Sequence, residues 1–367
     1  MSGSMEALAS RPWLIYGANG YTGRLLVAEA IRRGASPIVA GRREAEVAAV
    51  AKAHGLPSRV FSLDDPAAVR SGLQDVSLVL NAAGPMVYTA GQLAQACVAA
   101  GSHYMDVTAE IDALQIVHAL DGPARTAGVT LLPAAGYDVV PSDCLAARVV
   151  AAVDDAQSLD IGIWSLPQPS RGTLRTVADM FRRGGWRRRQ GRLERFRVGR
   201  GARRLWFPPG WRWALPVPWG DLVTAHVQTG VPDITVYLAL KPSDFALCLV
   251  AGPLGPWLFR SRRVSRFLER LLCPDGDGPS QDIRTHGRGW FWARATGADG
   301  RSRSAYLETP EGYRFTALAA VEAALRVHQG RTPAGALTPA QAFGSDFVQD
   351  LPGCRWIEGG PTGSASG

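Results

Sequence analysis

An apolar tetrapeptide, Trp13-Leu14-Ile15-Tyr16, runs directly into Gly17-Ala18-Asn19-Gly20-Tyr21-Thr22-Gly23. A stretch of helical periodicity then extends from Thr22 to Arg33 and stops at Gly34. A strand and a helix joined by G-x-x-G-x-x-G constrain the fold more than any other part of this chain. Gly17 permits the tight turn, Gly20 lets a pyrophosphate approach the backbone, and Gly23 lets the helix pack closely on the strand. The helix N-terminus presents free N–H groups and a partial positive charge to the same place. In this context the spacing predicts a dinucleotide-binding βα unit rather than an ordinary turn.

Alternation continues to about residue 150. Strands are expected at Pro37–Ala40, Arg59–Phe61, Ser77–Leu80, His103–Asp106 and Val129–Leu132, with helices over Glu44–Ala53, Ala90–Ala100 and Asp112–Ala127. Strands alternating with helices of this length mean a parallel sheet covered on both faces, a doubly wound Rossmann-type α/β domain. The second strand ends Ala40-Gly41-Arg42-Arg43, and the nearest acid, Glu44, comes after the arginines. An NAD site usually carries an acid at that strand end. Paired guanidinium groups suit a 2′-phosphate instead, so the expected cofactor is NADP. Asn81-Ala82-Ala83-Gly84-Pro85 follows the fourth strand, and its small residues would let a cofactor lie against the strand ends.

Residues 151 to 308 read differently. Leu159–Trp164, Asp233–Leu240, Gly289–Ala295 and Ser304–Leu307 alternate with period two, as in a mostly antiparallel sheet with one wet face. Gly297-Ala298-Asp299-Gly300 is a hairpin-turn signal. The chain turns helical again at Thr316–His328. Thr338-Pro339-Ala340-Gln341 fits an N-cap, a proline at the first helical position and a capping Gln. The expected organisation is a cofactor domain over 1–150, an α+β substrate or oligomerisation domain over 151–308, helices over 309–357 returning to the first domain, and a disordered tail over 358–367.

These residues resemble the saccharopine dehydrogenase-like oxidoreductases, and within them the bacterial branch that includes trans-acting enoyl reductases. The resemblance rests on Tyr16–Arg24, Ala40-Gly41-Arg42, Asn81–Pro85, Ala100–Thr108, Ala135–Asp143 and Thr309–Tyr313. Thr108-Ala109-Glu110 departs from the family's usual Thr-Gly-Glu. The resemblance implies an NADPH-dependent reductase with Gly17, Asn19, Gly20, Tyr21, Thr22, Gly23, Arg42, Arg43, Asn81, Ala82, Gly84, Pro85 and Gly136 at the cofactor. It leaves the substrate open. An activated C=C bond of a lipid or polyketide intermediate leads, and a saccharopine-type imine or amino-acid reductase is the alternative. A catalytically silent NADP-binding, membrane-associated protein is a third reading.

Gly136-Tyr137-Asp138 follows the sixth strand, so Tyr137 and Asp138 are expected to border the nicotinamide. Ser142 or Asp143 is placed to cap the helix that follows. Tyr88 is a further proton-donor candidate and Tyr104 a weaker one, each with a plainer reading as a packed aromatic. Tyr237-Leu238-Ala239-Leu240-Lys241 has the Y-x-x-x-K spacing of a short-chain dehydrogenase pair, but the surrounding pattern is that of a strand, which separates the two side chains. The six histidines show no metal-ligand spacing, and no metal is expected.

The net charge of +8 is local. Between Arg182 and Trp213 twelve arginines face one acid, Glu194, and Trp186, Trp206, Trp211 and Trp213 are interleaved with them. Such a segment suits an acyl carrier protein or a peripheral membrane contact, together with the apolar Phe245–Phe259 and the basic-amphipathic Ser261–Leu272. The plain alternative is a solvated loop. Nucleic acid is disfavoured because the rest of the chain reads as a small-molecule enzyme. Five scattered cysteines argue against a disulfide scaffold. No signal peptide or membrane-spanning run is evident, which gives a cytoplasmic expectation.

Overall fold

The computed structural model describes residues 10–165, 185–196, 200–242, 245 and 278–357. The chain falls into two compact units, Met1–Val140 with Tyr313–Phe343, and Pro141–Gly312 with Gly344–Gly367.

The first unit holds a seven-stranded parallel sheet in the order β15-β6-β5-β4-β1-β2-β3. Its strands are β1 (Leu14–Tyr16), β2 (Ile38–Gly41), β3 (Ser58–Val60), β4 (Leu78–Asn81), β5 (His103–Asp106), β6 (Thr130–Leu132) and β15 (Gly335–Ala336). All but β3 are buried along their whole length, so the apolar runs are continuous rather than alternating, as in a sheet covered on both faces. In β1, Tyr16 pairs with Ala40 on one side and Asn81 on the other. The order in which the chain adds strands reverses at β1, which opens a crevice at the carboxyl ends of β1 and β4.

Helices differ from expectation where distant groups or prolines intervene. The expected helix over Asp112–Ala127 is two, Ile111–His118 and Asp121–Ala127. Pro123 cannot continue a helix through Ala119, whose carbonyl its ring would strike, but it is tolerated in the first turn of a new one. Pro66–Gly72 is a helix that periodicity does not announce. Asp65 caps it, accepting from the N–H groups of Ala67 at 2.9 Å and Ala68 at 3.1 Å. Helix Met86–Ala100 starts four residues before Ala90, and Gly312–His328 starts before Thr316. The capping box at Thr338 forms as expected: Thr338 N–H donates to Gln341 Oε1 at 3.0 Å, and Gln341 N–H to Thr338 Oγ1 at 3.3 Å.

The second unit carries a mixed sheet in the order β10-β11-β12-β7-β13-β14-β16, with β8 pairing to β12 and β9. Its strands are β7 (Ala156–Ser165), β8 (Gly185–Arg189), β9 (Arg192–Phe196), β10 (Arg203–Phe207), β11 (Gly210–Pro216), β12 (Asp233–Ala239), β13 (Arg288–Gly297), β14 (Ser302–Pro310) and β16 (Arg355–Ile357). Among its described strands only β7 and β12 run parallel. The hairpin between β13 and β14 turns at Ala298–Arg301, where Asp299 Oδ1 accepts from Arg301 N–H at 2.9 Å. Tyr237 lies in β12 and Lys241 beyond its end, so the Y-x-x-x-K pair is not built. Helix Val140–Val150 opens this unit with Ser142 and Asp143 inside its first turn, both buried, rather than at the cap.

The Arg- and Trp-rich segment is not a loop where it is described. It forms β8 to β11, and many of its cations have partners. Arg187 pairs with Glu194, Arg189 with Asp233 and Arg203 with Asp160, at 2.6, 2.6 and 2.9 Å. Arg188, 8% exposed, donates to the carbonyls of Leu222 at 2.7 Å and Gly191 at 2.6 Å. Gly162 in β7 lies beneath β10, and a Cβ there would stand 2.9 Å from Leu205 Cδ1. Arg182, Arg183, nearly all of Phe245–Leu272 and the tail 358–367 lie outside the described residues.

Arg188→Met keeps most of the buried volume but removes the donors to two carbonyls. It is expected to lower unfolding free energy by about 1–3 kcal/mol, measured by urea titration. Arg204→Met, at an exposed position of β10, should change it by less than about 0.5 kcal/mol.

Candidate cofactor site

The glycine loop is held by its neighbours on both sides. Gly17 N–H donates to Ala40 O at 2.8 Å and Ala18 N–H to the same oxygen at 3.2 Å, which fastens the turn over the end of β2. Gly17 has φ of +82°, and a Cβ there would lie 2.8 Å from the backbone nitrogen of Ala83. Helix Tyr21–Arg32 starts at once. A Cβ on Gly23 would come within 2.2 Å of Gly17 O, so the helix can rest on the loop only because that atom is missing.

Gly20 is the N-cap of this helix. It makes no side-chain cap and no acid lies in the first turn. A Cβ on Gly20 would meet only Gly17 O, at 3.3 Å. The loop thus combines an open backbone face with first-turn N–H groups that no cap side chain occupies. An anionic pyrophosphate fits this cradle, and a polar side chain at Gly20 would compete with it. Tyr21 packs edge-on against Tyr313, with ring centroids 5.0 Å apart, and Thr22 is half-buried beside it.

At the end of β2, Arg42 and Arg43 are both exposed. Arg43 pairs with Glu46 at 2.6 Å. Asn19 Nδ2 donates to the other oxygen of Glu46, also at 2.6 Å, and Asn19 O accepts from Arg24 at 2.8 Å. Beneath them Tyr16 OH donates to Phe61 O at 3.1 Å. Burial pushes the Tyr16 hydroxyl up to about 12, with the charge of Arg42 opposing that shift.

The loop after β4 is shaped from within. Asn81 Oδ1 accepts from Ala83 N–H at 3.0 Å, and its Nδ2 donates to Thr89 Oγ1 at 3.1 Å and Tyr104 OH at 3.3 Å. The Asn81 amide therefore sets the course of Ala82, Ala83 and Gly84, and Gly84-Pro85 is a cis peptide. Tyr104 OH donates to Asp106 Oδ2 at 2.7 Å, while Asp106 Oδ1 accepts from Thr108 N–H and Ala134 N–H, each at 2.9 Å. Burial raises the Asp106 carboxyl above its ordinary value, with these hydrogen bonds opposing. One side chain thus fixes the loops after both β5 and β6. Glu110 caps helix Met86–Ala100 from a distance, accepting from Met86 N–H at 3.0 Å and Val87 N–H at 2.9 Å.

Gly136 is tightly enclosed, since a Cβ there would lie 3.2 Å from both Thr316 Cγ2 and Val107 Cβ. Tyr137 N–H donates to Thr316 Oγ1 at 3.1 Å, and its ring packs against Phe315. Tyr137 is buried, while Asp138 keeps some surface; desolvation raises its carboxyl to about 6. Tyr104 is the packed aromatic of its plainer reading. Tyr88, 72% exposed in the first turn of helix Met86–Ala100, is not packed. The loops bearing Gly17, Asn81 and Gly136 share the carboxyl edge of one sheet, because β1, β4, β5 and β6 are successive neighbours. Glu46, Thr89 and Glu110 emerge only in three dimensions. Glu46 carried a weak local signal, three residues after an arginine at a helix start. Among the described residues no group of three or more His, Cys, Asp or Glu is arranged to hold a metal ion.

Gly23→Ala forces the helix off Gly17 O. NADPH affinity should fall at least about tenfold, or about 1.4 kcal/mol, in a fluorescence titration, with the far-UV circular dichroism spectrum retained.

Comparison with known proteins agrees with this geometry. The family model for the saccharopine dehydrogenase NADP binding domain matches residues 13–132. A mouse (Mus musculus) saccharopine dehydrogenase-like oxidoreductase is 26% identical over 159 residues, covering 37% of this chain and 37% of that protein. A trans-acting enoyl reductase of Mycobacterium bovis is 22% identical over 414 aligned positions, covering 94% of this chain and 96% of the relative. The fold of saccharopine dehydrogenase (L-Glu forming) from Saccharomyces cerevisiae superposes with a TM-score of 0.62 at 13% identity, over 95% of this chain and 100% of that one. Residues 13–132 thus form an NADP-binding domain of the saccharopine dehydrogenase kind, and the cofactor it takes is NADP(H).

Proposed function

We propose that this oxidoreductase uses NADPH to saturate an activated C=C bond of an enoyl type, in a lipid or polyketide intermediate. The observation that carries the reading is the match to a trans-acting enoyl reductase along 94% of this chain and 96% of the relative. Gly17, Gly20, Tyr21, Thr22 and Gly23 would hold the pyrophosphate on the helix N-terminus. The end of β2 would hold the 2′-phosphate, and Ala82, Gly84, Pro85 and Gly136 would line the crevice toward the reacting end. Asn19 and Asn81 support these loops through the bonds described above.

Saturating a C=C bond requires one hydride and one proton. The hydride would come from NADPH when it is bound in the cradle of the glycine loop. The proton is assigned to Asp138, whose carboxyl, raised to about 6, is partly protonated near neutrality. Tyr137 bounds the same loop and orients it through Thr316 and Phe315. Tyr88, exposed at the mouth of the neighbouring helix, is a contact for the substrate chain.

The arginine-rich strands and the stretch Phe245–Leu272 are proposed to meet a carrier-bound acyl group, an acyl carrier protein or an anionic membrane surface. Most of that stretch lies outside the described residues. Among the described residues no helix is long and apolar enough to cross a membrane.

The direct test is oxidation of NADPH in the presence of 2-enoyl thioesters, with a cyclic imine as the competing substrate. Turnover of the imine alone would overturn the C=C assignment. Because Asp138 must be protonated to act, kcat should fall as pH rises through about 6. Asp138→Asn should lower kcat and remove that limb of the profile; an unchanged profile would remove Asp138 from the mechanism.

A further inference from the structure

The two arginines at the end of β2 are adjacent in sequence but differently placed. Arg43 is the N-cap residue of helix Glu44–His54, and its guanidinium meets the Glu46 carboxylate one turn on at 2.6 Å. The second oxygen of that carboxylate accepts from Asn19 in the glycine loop, also at 2.6 Å. Asn19 in turn receives Arg24 from the first turn of helix Tyr21–Arg32. One carboxylate therefore ties the start of the second helix to the phosphate loop. The other end of the Asn19 amide rests over the end of β2, where a Cβ on Gly41 would come within 3.1 Å of Asn19 Oδ1.

Arg42 is exposed and forms no hydrogen bond or ion pair among the described residues. Its charge acts on the Tyr16 hydroxyl at the end of the adjacent strand β1, opposing the rise that burial causes there. A phosphate approaching Arg43 meets the Glu46 carboxylate, a like charge that opposes it. A phosphate approaching Arg42 meets a guanidinium with its donors unspent, able to make charge-assisted or bidentate bonds.

We propose that Glu46 is a positioning and specificity-determining residue: it holds Arg43 and Asn19 together, and so leaves Arg42 alone to recognise the 2′-phosphate. This rests on the reading of the glycine loop as the NADP site. Glu46 acts on the cofactor through two other side chains and through its own negative charge. It thereby limits how strongly the site prefers NADPH over NADH, because it withholds the second guanidinium from the phosphate.

The ratio of NADH to NADPH dissociation constants, measured by fluorescence titration on the full chain, tests this directly. Arg42→Ala should weaken NADPH about tenfold or more while leaving NADH nearly unchanged, the loss expected of a charge-assisted contact to phosphate. Glu46→Gln keeps an acceptor for Asn19 but releases Arg43, so the preference for NADPH should rise. The double variant Arg43→Ala with Glu46→Gln should return the ratio to that of the unmodified protein. Glu46→Ala also frees Asn19, so it should weaken NADH binding while the released Arg43 still raises the preference for NADPH. The proposal is overturned if Arg42→Ala keeps the preference while the double variant loses it, or if Glu46→Gln leaves the ratio unchanged or lowers it. If the unmodified protein binds neither cofactor, or binds NADH as tightly as NADPH, the underlying reading of the site fails instead.

Discussion

Gly23 has no Cβ, and the helix beginning at Tyr21 rests for that reason on the carbonyl of Gly17. The close approach fixes the angle at which the helix leaves β1 and the direction in which its free N–H groups point. Gly17, with its positive φ, in turn lies against the backbone of Ala83, so the first loop and the loop after β4 are set by a single contact. Two glycines after β1, one of them against Ala83 after the adjacent β4, thus define the crevice, and the rest of the first unit keeps those strand ends in register. The buried runs of β1, β2, β4, β5 and β6 supply the apolar burial that holds the register.

The carboxyl edge is also stiffened from below. Asn81, Tyr104 and Asp106 form a chain of hydrogen bonds across β4 and β5, and Asp106 reaches the loop after β6 through Ala134. Satisfied polar networks of this kind specify one arrangement of their loops, because each alternative leaves a buried polar group unmatched. Thr108 Oγ1 accepting from Glu110 N–H at 3.0 Å extends the order to the acid that caps the neighbouring helix. Ala109, where the family's pattern has glycine, is accommodated as a buried residue within this turn.

The strands of the first unit and the glycine loop were legible because their signals are local: apolar tetrapeptides, a fixed glycine spacing and a capping box. What escaped depends on partners far along the chain. Helix Met86–Ala100 begins early because Glu110, more than twenty residues on, supplies its cap. The arginines of β8 and β10 read as solvated charge because their neighbours in sequence are other arginines; Asp160, Asp233 and the carbonyl of Leu222 are brought to them by the fold. Asp65 before Pro66 was a readable cap, but the helix it starts is short and lacks a periodic face. Within the site the loops were legible and their supports were not. Asn81 and Asp106 lie in recognisable motifs, yet their hydrogen bonds turn inward.

Capping helix Met86–Ala100 from Glu110 has a consequence for the crevice itself. Helix starts commonly carry a serine, threonine or aspartate at the cap, whose oxygen occupies the space above the first turn. Here Pro85 stands at that position, and the residues before it are Ala82, Ala83 and Gly84. The work of the cap is moved to the next loop, so this rim offers a flat, apolar ledge with no side-chain donor or acceptor of its own. A planar ring laid along it would be oriented by shape and by backbone groups, and its polar substituents would have to find their partners elsewhere.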